Sequence, residues 1–171
     1  DKDPDFLTHE GAAPDSLSPP TFRAIEMKWS YEDQIRFLAT FQGRSALYEV
    51  AVTGGAVKTI ASADGTLSGI SHSTTGGVAA VLGTQNSPSQ IALLDDDSWT
   101  SITDNNKDFF AHHPPATMEK FTLDRAGMSI ESRVMLPPNF DSTQKYPLIL
   151  EIHGGPNGAF LDGFIADHHL M

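Results

Sequence analysis

The feature that most restricts the fold is a unit of four short strands that occurs twice in the first two thirds of the sequence. Apolar and polar residues alternate along several of these segments, which favours strands with one buried face. The first unit comprises residues 22–29, 35–41, 46–52 and 57–60, and the second comprises residues 67–71, 78–82, 90–94 and 99–102. Short turns separate the segments, with Gly43 and the pair Gly54-Gly55 in the first unit and an acidic turn at 95–97 in the second.

The spacing of the two units indicates their architecture. Ser30 corresponds to Ser71 and Tyr48 to Ala92, at offsets of 41 and 44 residues. A four-stranded unit that repeats about every 40–45 residues is typical of a β-propeller blade. An antiparallel sandwich with evenly spaced strands would give the same pattern, so the spacing leaves both architectures open.

The sequence changes in character after Thr103. A polar linker over 104–115 precedes a predicted hairpin, with strands at 120–123 and 129–135 and a turn between them. Two prolines at 137–138 end the second strand because proline donates no hydrogen bond to a ladder. An apolar run at 146–152 then predicts a buried strand. We place a domain boundary near Ala116, which divides the chain into residues 1–115 and 116–171.

The run His153-Gly154-Gly155-Pro156 follows this predicted strand directly. A strand that leads into His-Gly-Gly is the context in which α/β-hydrolases build half of an oxyanion hole. Glycine suits this position because a backbone N–H must approach the developing alkoxide, and a Cβ would crowd the acyl group. A plain Gly-Gly-Pro turn at the end of a strand is the alternative interpretation.

The surrounding residues resemble the start of the peptidase domain in the prolyl oligopeptidase family, especially its acylaminoacyl-peptidase-like and dipeptidyl-aminopeptidase-like branch. The resemblance is carried by Leu136-Pro137-Pro138-Asn139-Phe140 and by Lys145-Tyr146-Pro147 through Pro156. It implies a mainly β chain, in which the last blades of a β-propeller precede the first strands of an α/β-hydrolase domain. It also implies that Gly155 offers its N–H to the oxyanion and that Gly154 shapes the turn. His153 is then a position of the motif and not the base of the catalytic triad, which follows the serine and the acid in this fold.

One part of the family pattern is absent: the sequence has no Gly-x-Ser-x-Gly elbow. The nearest imitation is Gly69-Ile70-Ser71-His72-Ser73, which lacks the final glycine and precedes the oxyanion turn. We therefore do not assign Ser71 as a nucleophile. The chain ends at Met171, within a predicted helix. We expect the triad to lie beyond it and the 171-residue chain alone to be inactive.

Composition excludes several other functions. A net charge of −11 disfavours nucleic-acid binding, and the absence of cysteine removes disulfides, thiolate metal sites and a cysteine nucleophile. No apolar run reaches the roughly 20 residues of a membrane helix, so we expect a soluble protein of unassigned compartment. The pairs His112-His113 and His168-His169 are candidates for a metal site, but adjacent side chains point apart. We expect no metal and no cofactor.

The sequence therefore predicts part of a serine peptidase that hydrolyses short peptides by acyl transfer, with a propeller that excludes folded proteins. A non-catalytic propeller that serves as a binding module, or an esterase with the same oxyanion turn, remains an alternative. The expected partners are a short peptide substrate and either a companion chain or further copies of this chain. The reason is that two blades and three hydrolase strands leave sheet edges unpaired.

Overall fold

The computed structural model describes residues 26–29, 33–41, 43–154 and 158–170, and most of the regular structure in them is β. The strands are β1 Met27–Trp29, β2 Gln34–Phe41, β3 Arg44–Ala51, β4 Lys58–Ser62, β5 Thr66–His72, β6 Val78–Thr84, β7 Ser87–Asp95, β8 Ser98–Ser101, β9 Thr117–Arg125 and β10 Met128–Leu136. The helices are α1 Lys107–His112 and α2 Ala166–Leu170. The prediction of a mainly β chain is confirmed.

The first eight strands form two four-stranded sheets, each with its strands in chain order. The first sheet has the order β1-β2-β3-β4 and the second β5-β6-β7-β8, and all neighbours are antiparallel. The two predicted four-strand units therefore form as separate meanders. Residues 22–25 of the first predicted segment and Ser30 lie outside the described residues.

A hydrophobic core lies between the two sheets. Leu38 and Leu47 of the first sheet are fully buried in it, and they share it with Leu67, Ile70 and Val78 of the second sheet. Alternate residues of β2 and β3 form a second cluster on the opposite face of the first sheet. Its members are Phe37, Ala39, Ala46, Tyr48 and Val50. The two central strands of the first sheet, β2 and β3, are thus buried on both faces. Each large apolar side chain in such a core stabilises the fold by roughly 1.5–3 kcal/mol.

A long hairpin follows the second sheet. β9 and β10 pair without interruption from Met128 opposite Arg125 to Leu136 opposite Thr117. Ala126 and Gly127 form the turn with positive φ angles of 52° and 78°, as a two-residue turn between twisted strands requires. The predicted hairpin is confirmed and is longer than expected at its open end.

Two predictions about elements are wrong. Residues 146–152 form no strand, and Leu148, Ile149, Leu150 and Ile152 are 85%, 71%, 80% and 78% exposed. A strand of this apolar kind needs neighbours on both edges, and no described residue pairs with it.

The second wrong prediction concerns the linker over 104–115, which contains the short helix α1. The polar residues around this helix favoured a loop in the sequence. Phe110 of α1 packs edge-on against Phe164 at 5.6 Å, a tertiary contact that local sequence does not reveal.

Candidate functional site

The predicted turn begins on the surface of the molecule. His153 and Gly154 are exposed, and the His153 ring lies edge-on to Phe160 with ring centres 6.0 Å apart. In the described part of the chain, and leaving aside the neighbours of Gly154 in sequence, no atom lies within 4 Å of the place where a Cβ on Gly154 would be. Gly155 and Pro156 lie outside the described residues, so the position of the proposed N–H donor stays a prediction.

The loop after the turn folds back closely on it. Gly158 lies so near Gly154 that a Cβ on Gly158 would overlap the Gly154 carbonyl oxygen. A glycine is therefore needed at 158 for this approach. Sequence reasoning overlooked Gly158, because this contact depends on how the loop folds.

A buried carboxylate, Asp162, lies at the centre of the polar contacts that follow the turn. Its oxygens accept hydrogen bonds from Arg44 Nε at 3.1 Å, from Gln85 Nε2 at 3.2 Å and from Lys120 Nζ. Arg133 Nη2 forms an ion pair with it at 2.8 Å. These four partners come from β3, the β6–β7 turn, β9 and β10. Asp162 therefore connects both four-stranded sheets and the hairpin.

The environment of Asp162 favours the ionised carboxylate. Burial raises the pKa of Asp162, but the hydrogen bonds from Lys120 and Arg44 and the charge of Arg133 outweigh it, so the pKa lies below its ordinary value. Three cations thus share one buried anion. Such a group is stable only while it is charged and fully paired.

His169 of α2 makes a second polar connection. Its Nδ1 accepts a hydrogen bond from the Ala116 N–H at 3.1 Å, and its Nε2 donates to the Gln85 carbonyl at 3.0 Å. Only the neutral ring can accept and donate in this way. Burial lowers the pKa of His169, and the charge of His168 lowers it further against the opposing effect of the Gln85 carbonyl. The Phe164 ring stacks on the His169 ring at 4.3 Å.

The two histidines of α2 have different partners. His168 Nε2 contacts the Glu151 carboxylate at 2.6 Å, whereas His169 contacts Gln85 and Ala116. In the other pair, His112-His113, the His112 Nδ1 contacts the Asp108 carbonyl. Within the part of the chain that the structure describes, no three His, Asp or Glu side chains are grouped to hold a metal ion.

The imitation elbow at Gly69-Ile70-Ser71 belongs to β5 and has another use. A bulge between Ser68 and Ser71 brings the N–H groups of Gly69 and Ile70 onto the Glu26 carboxylate, at 2.8 and 2.9 Å. Gly69 has a φ of +63°, a backbone conformation that glycine adopts more readily than residues with a side chain. This sequence therefore joins the two sheets.

Part of the chain is similar in sequence to known proteins, and most of it is similar in fold to solved structures. Dipeptidyl-peptidase 5 of Aspergillus fumigatus is 42% identical over 50 residues, which are 29% of this chain and 7% of that protein. An acylaminoacyl peptidase from Pyrococcus horikoshii has a similar fold, with a TM-score of 0.73 over 85% of this chain and 23% of that one, at 20% identity. An acylaminoacyl peptidase in complex with Z-Gly-Gly-Phe-chloromethyl ketone gives 0.71 over 91% and 24%, also at 20% identity. No family model matches the chain.

The relatives and the solved structures that this chain resembles are peptidases, a class of hydrolases. Within that class the chain resembles the prolyl oligopeptidase family, as its sequence predicts. It spans about 7% of the length of the first curated relatives and about a quarter of the solved structures. In the described residues no helix is long and apolar enough to cross a membrane.

Proposed function

We propose that the chain is part of a serine peptidase that hydrolyses short peptides by acyl transfer. In this proposal the Gly155 N–H stabilises the oxyanion of the tetrahedral intermediate, and Gly154 gives the turn its shape. The observation that carries the proposal is the open space over Gly154: apart from its chain neighbours, no atom of the described residues lies within 4 Å of an added Cβ. An acyl group needs such space beside the oxyanion donor.

The apolar segment before the turn supports a hydrolase sheet in the proposed protein. Leu148, Ile149, Leu150 and Ile152 form a run of exposed apolar side chains, which is unusual on a finished surface. A strand covered on both faces by helices has this composition, because both faces are buried. We propose that residues 146–152 form such a strand when the neighbouring strands of an α/β-hydrolase domain are present.

The outer face of the second sheet supports the propeller. Ile91 and Leu93 of β7 lie opposite Val81 and Ala79 of β6, and Ile91 and Leu93 are exposed. The inner face of the same sheet packs on the first sheet through Val78 and its neighbours. A blade inside a ring is covered on both faces. We propose that residues 26–102 are two adjacent blades whose next neighbour packs on Ile91 and Leu93.

In the complete peptidase we propose that the propeller limits the size of the substrate, since a ring of blades over the active site admits peptides and excludes folded proteins. Short peptides are the proposed substrates. The rest of the protein, or another copy of the chain, is the proposed partner of the exposed apolar segments.

The proposal is tested by hydrolysis of chromogenic dipeptide and acyl-amino-acid substrates by a longer protein that contains this chain. Peptide hydrolysis that a fluorophosphonate blocks would support it. A purified, folded protein that hydrolyses simple esters and none of these peptides would favour the esterase instead. A protein that hydrolyses neither would favour the binding module.

A further inference from the structure

We infer that Asp162 is a positioning residue of the proposed peptidase: it fixes the backbone after the His153-Gly154 turn against both four-stranded sheets and the hairpin. This inference rests on the proposed function. In this inference Asp162, which lies outside the His153-Gly154 motif, keeps the motif in position.

The first support is the origin of the contacts. Arg44 begins β3, Gln85 lies between β6 and β7, and Lys120 and Arg133 face Asp162 from β9 and β10. Elements that are far apart in sequence thus meet at one carboxylate, which is only 3% exposed. Removing its charge would leave Lys120 beside a neutral group, while Arg44 and Arg133 would keep only Asp64 and Glu131 as ion-pair partners. Loss of one charge from a buried ion pair is unfavourable.

The second support is that the backbone around Asp162 is held as well. The Asp162 N–H donates to the Gly43 carbonyl at 2.7 Å, and Arg133 Nη1 donates to the Leu161 carbonyl at 2.8 Å. Gly163 packs so closely on β5 that a Cβ there would lie 2.9 Å from Thr66 Oγ1. Three consecutive residues are therefore fixed by hydrogen bonds and close packing.

The third support is the short path from this anchor to the turn. Gly158 lies against the Gly154 carbonyl, and only two residues, 159 and 160, separate Gly158 from the fixed backbone at 161–163. An oxyanion donor works only when it is held within a fraction of an ångström of its productive position. The anchor supplies a rigid attachment for one end of the loop that carries the donor.

The first experiment measures amide hydrogen exchange in the 171-residue chain. D162N keeps the shape of the side chain and removes its charge. Exchange over residues 158–170 should rise on the order of tenfold, while β2, β3, β6 and β7 keep their protection. D167N is the matched control, because Asp167 is exposed on the same segment, and it should change nothing.

Two results of this experiment would overturn the inference. Unchanged exchange over 158–170 in D162N would show that the segment is held without the carboxylate. Equal loss of protection in both sheets would make Asp162 a general stability residue. If D162N does not fold, K120M removes one cation partner and should give a smaller rise in the same segment; no rise would again contradict the inference.

The second experiment measures kinetics in the longer peptidase. D162N should lower kcat on the order of 10- to 100-fold with KM within about twofold, because a displaced donor weakens transition-state binding alone. D162E, which keeps the charge, should recover part of kcat. An unchanged kcat, or a change confined to KM, would overturn the positioning role. A wild-type protein without peptidase activity would instead overturn the proposed function, while the exchange experiment would still decide whether Asp162 anchors the segment.

Discussion

At the scale of single residues, the glycines and one carboxylate define the candidate site. The sequence predicted Gly154 and Gly155 because their chemistry is local: a turn after a strand that needs a bare backbone. It did not predict Asp162, whose meaning depends on Arg44, Lys120 and Arg133, up to 118 residues away. The sequence pattern of an aspartate followed by a glycine, as at Asp162-Gly163, is the same whether the carboxylate is solvated or buried. Only the assembled fold distinguishes these cases.

The Gly155→Val variant of the longer peptidase tests the oxyanion role. Turnover should fall about 10²- to 10³-fold with little change in KM, as expected for the loss of one oxyanion donor. Ala159→Val, an exposed substitution in the same loop, is the control and should keep normal turnover. A folded Gly155→Val protein with wild-type kcat would show that the assigned role is wrong.

Gly43 lies between β2 and β3, and its replacement tests the packing around Asp162. It has a φ of +84°, and a Cβ there would lie 2.5 Å from Arg133 Nη2 and 2.9 Å from Asp162 Oδ1. Gly43→Ala should therefore lower the free energy of unfolding by about 1–3 kcal/mol in urea titrations.

Gly76→Ala is the matched control for Gly43→Ala. Gly76 has a similar φ of +91° but open space around it, so its replacement adds backbone strain alone. Equal losses of unfolding free energy in the two variants would mean that the Asp162 cluster yields to an extra methyl group.

At the scale of elements, the sequence predicted the strands and turns whose residue patterns are local. The eight strands of the two sheets and the hairpin were found because alternation and glycine turns are local patterns. The segment 146–152 failed for the opposite reason: its composition describes a strand between neighbours, and no described residue supplies those neighbours. Helix α1 was missed because contacts such as Phe110 with Phe164, rather than its own six residues, hold it.

The attachment of α2 through His169 makes stability depend on pH. The neutral ring is bound in the folded state, and its pKa lies below the ordinary 6.5. The unfolded chain therefore takes up the proton first as pH falls. Stability is fully present above about 6.5 and is lost as pH falls through the folded pKa. Urea unfolding between pH 7.5 and pH 5 should show this loss.

His169→Gln isolates that contribution. Glutamine offers a donor and an acceptor and does not titrate, so the fall in unfolding free energy over this pH range should be smaller than in the wild type. Burial, with the charges of Arg36 and Lys28, also lowers the pKa of His72, so part of the pH dependence should remain. His112→Gln, at an exposed site, is the control. An unchanged pH dependence in His169→Gln would contradict the bound neutral ring.

At the scale of the whole molecule, the described residues have a buried hydrophobic core and two exposed apolar surfaces. The core between the sheets is closed, whereas Ile91 and Leu93 on one side and residues 148–152 on another remain exposed. Apolar surface of this kind recruits other chains. We expect the isolated chain to associate, either with itself or with the remainder of a longer protein.

Light scattering on the isolated chain tests this expectation. The mass should exceed the 18.5 kDa of one copy, and the double variant Leu148→Lys, Leu150→Lys should reduce association because lysine opposes edge pairing. Thr143→Lys with Gln144→Lys adds the same charge without removing apolar surface and should not reduce it. A wild-type chain that is monodisperse at 18.5 kDa would contradict the need for a partner.

The central proposal is that this chain is part of a serine peptidase and contributes the oxyanion turn without the nucleophile. Fluorophosphonate labelling, followed by identification of the modified residue, tests it most directly. The 171-residue chain should remain unlabelled, because Ser71 lies in β5 and the sequence contains no Gly-x-Ser-x-Gly. A longer active protein should be labelled at one serine outside these residues. Stoichiometric labelling of any serine within residues 1–171, or an active peptidase that the reagent leaves unmodified, would contradict the account.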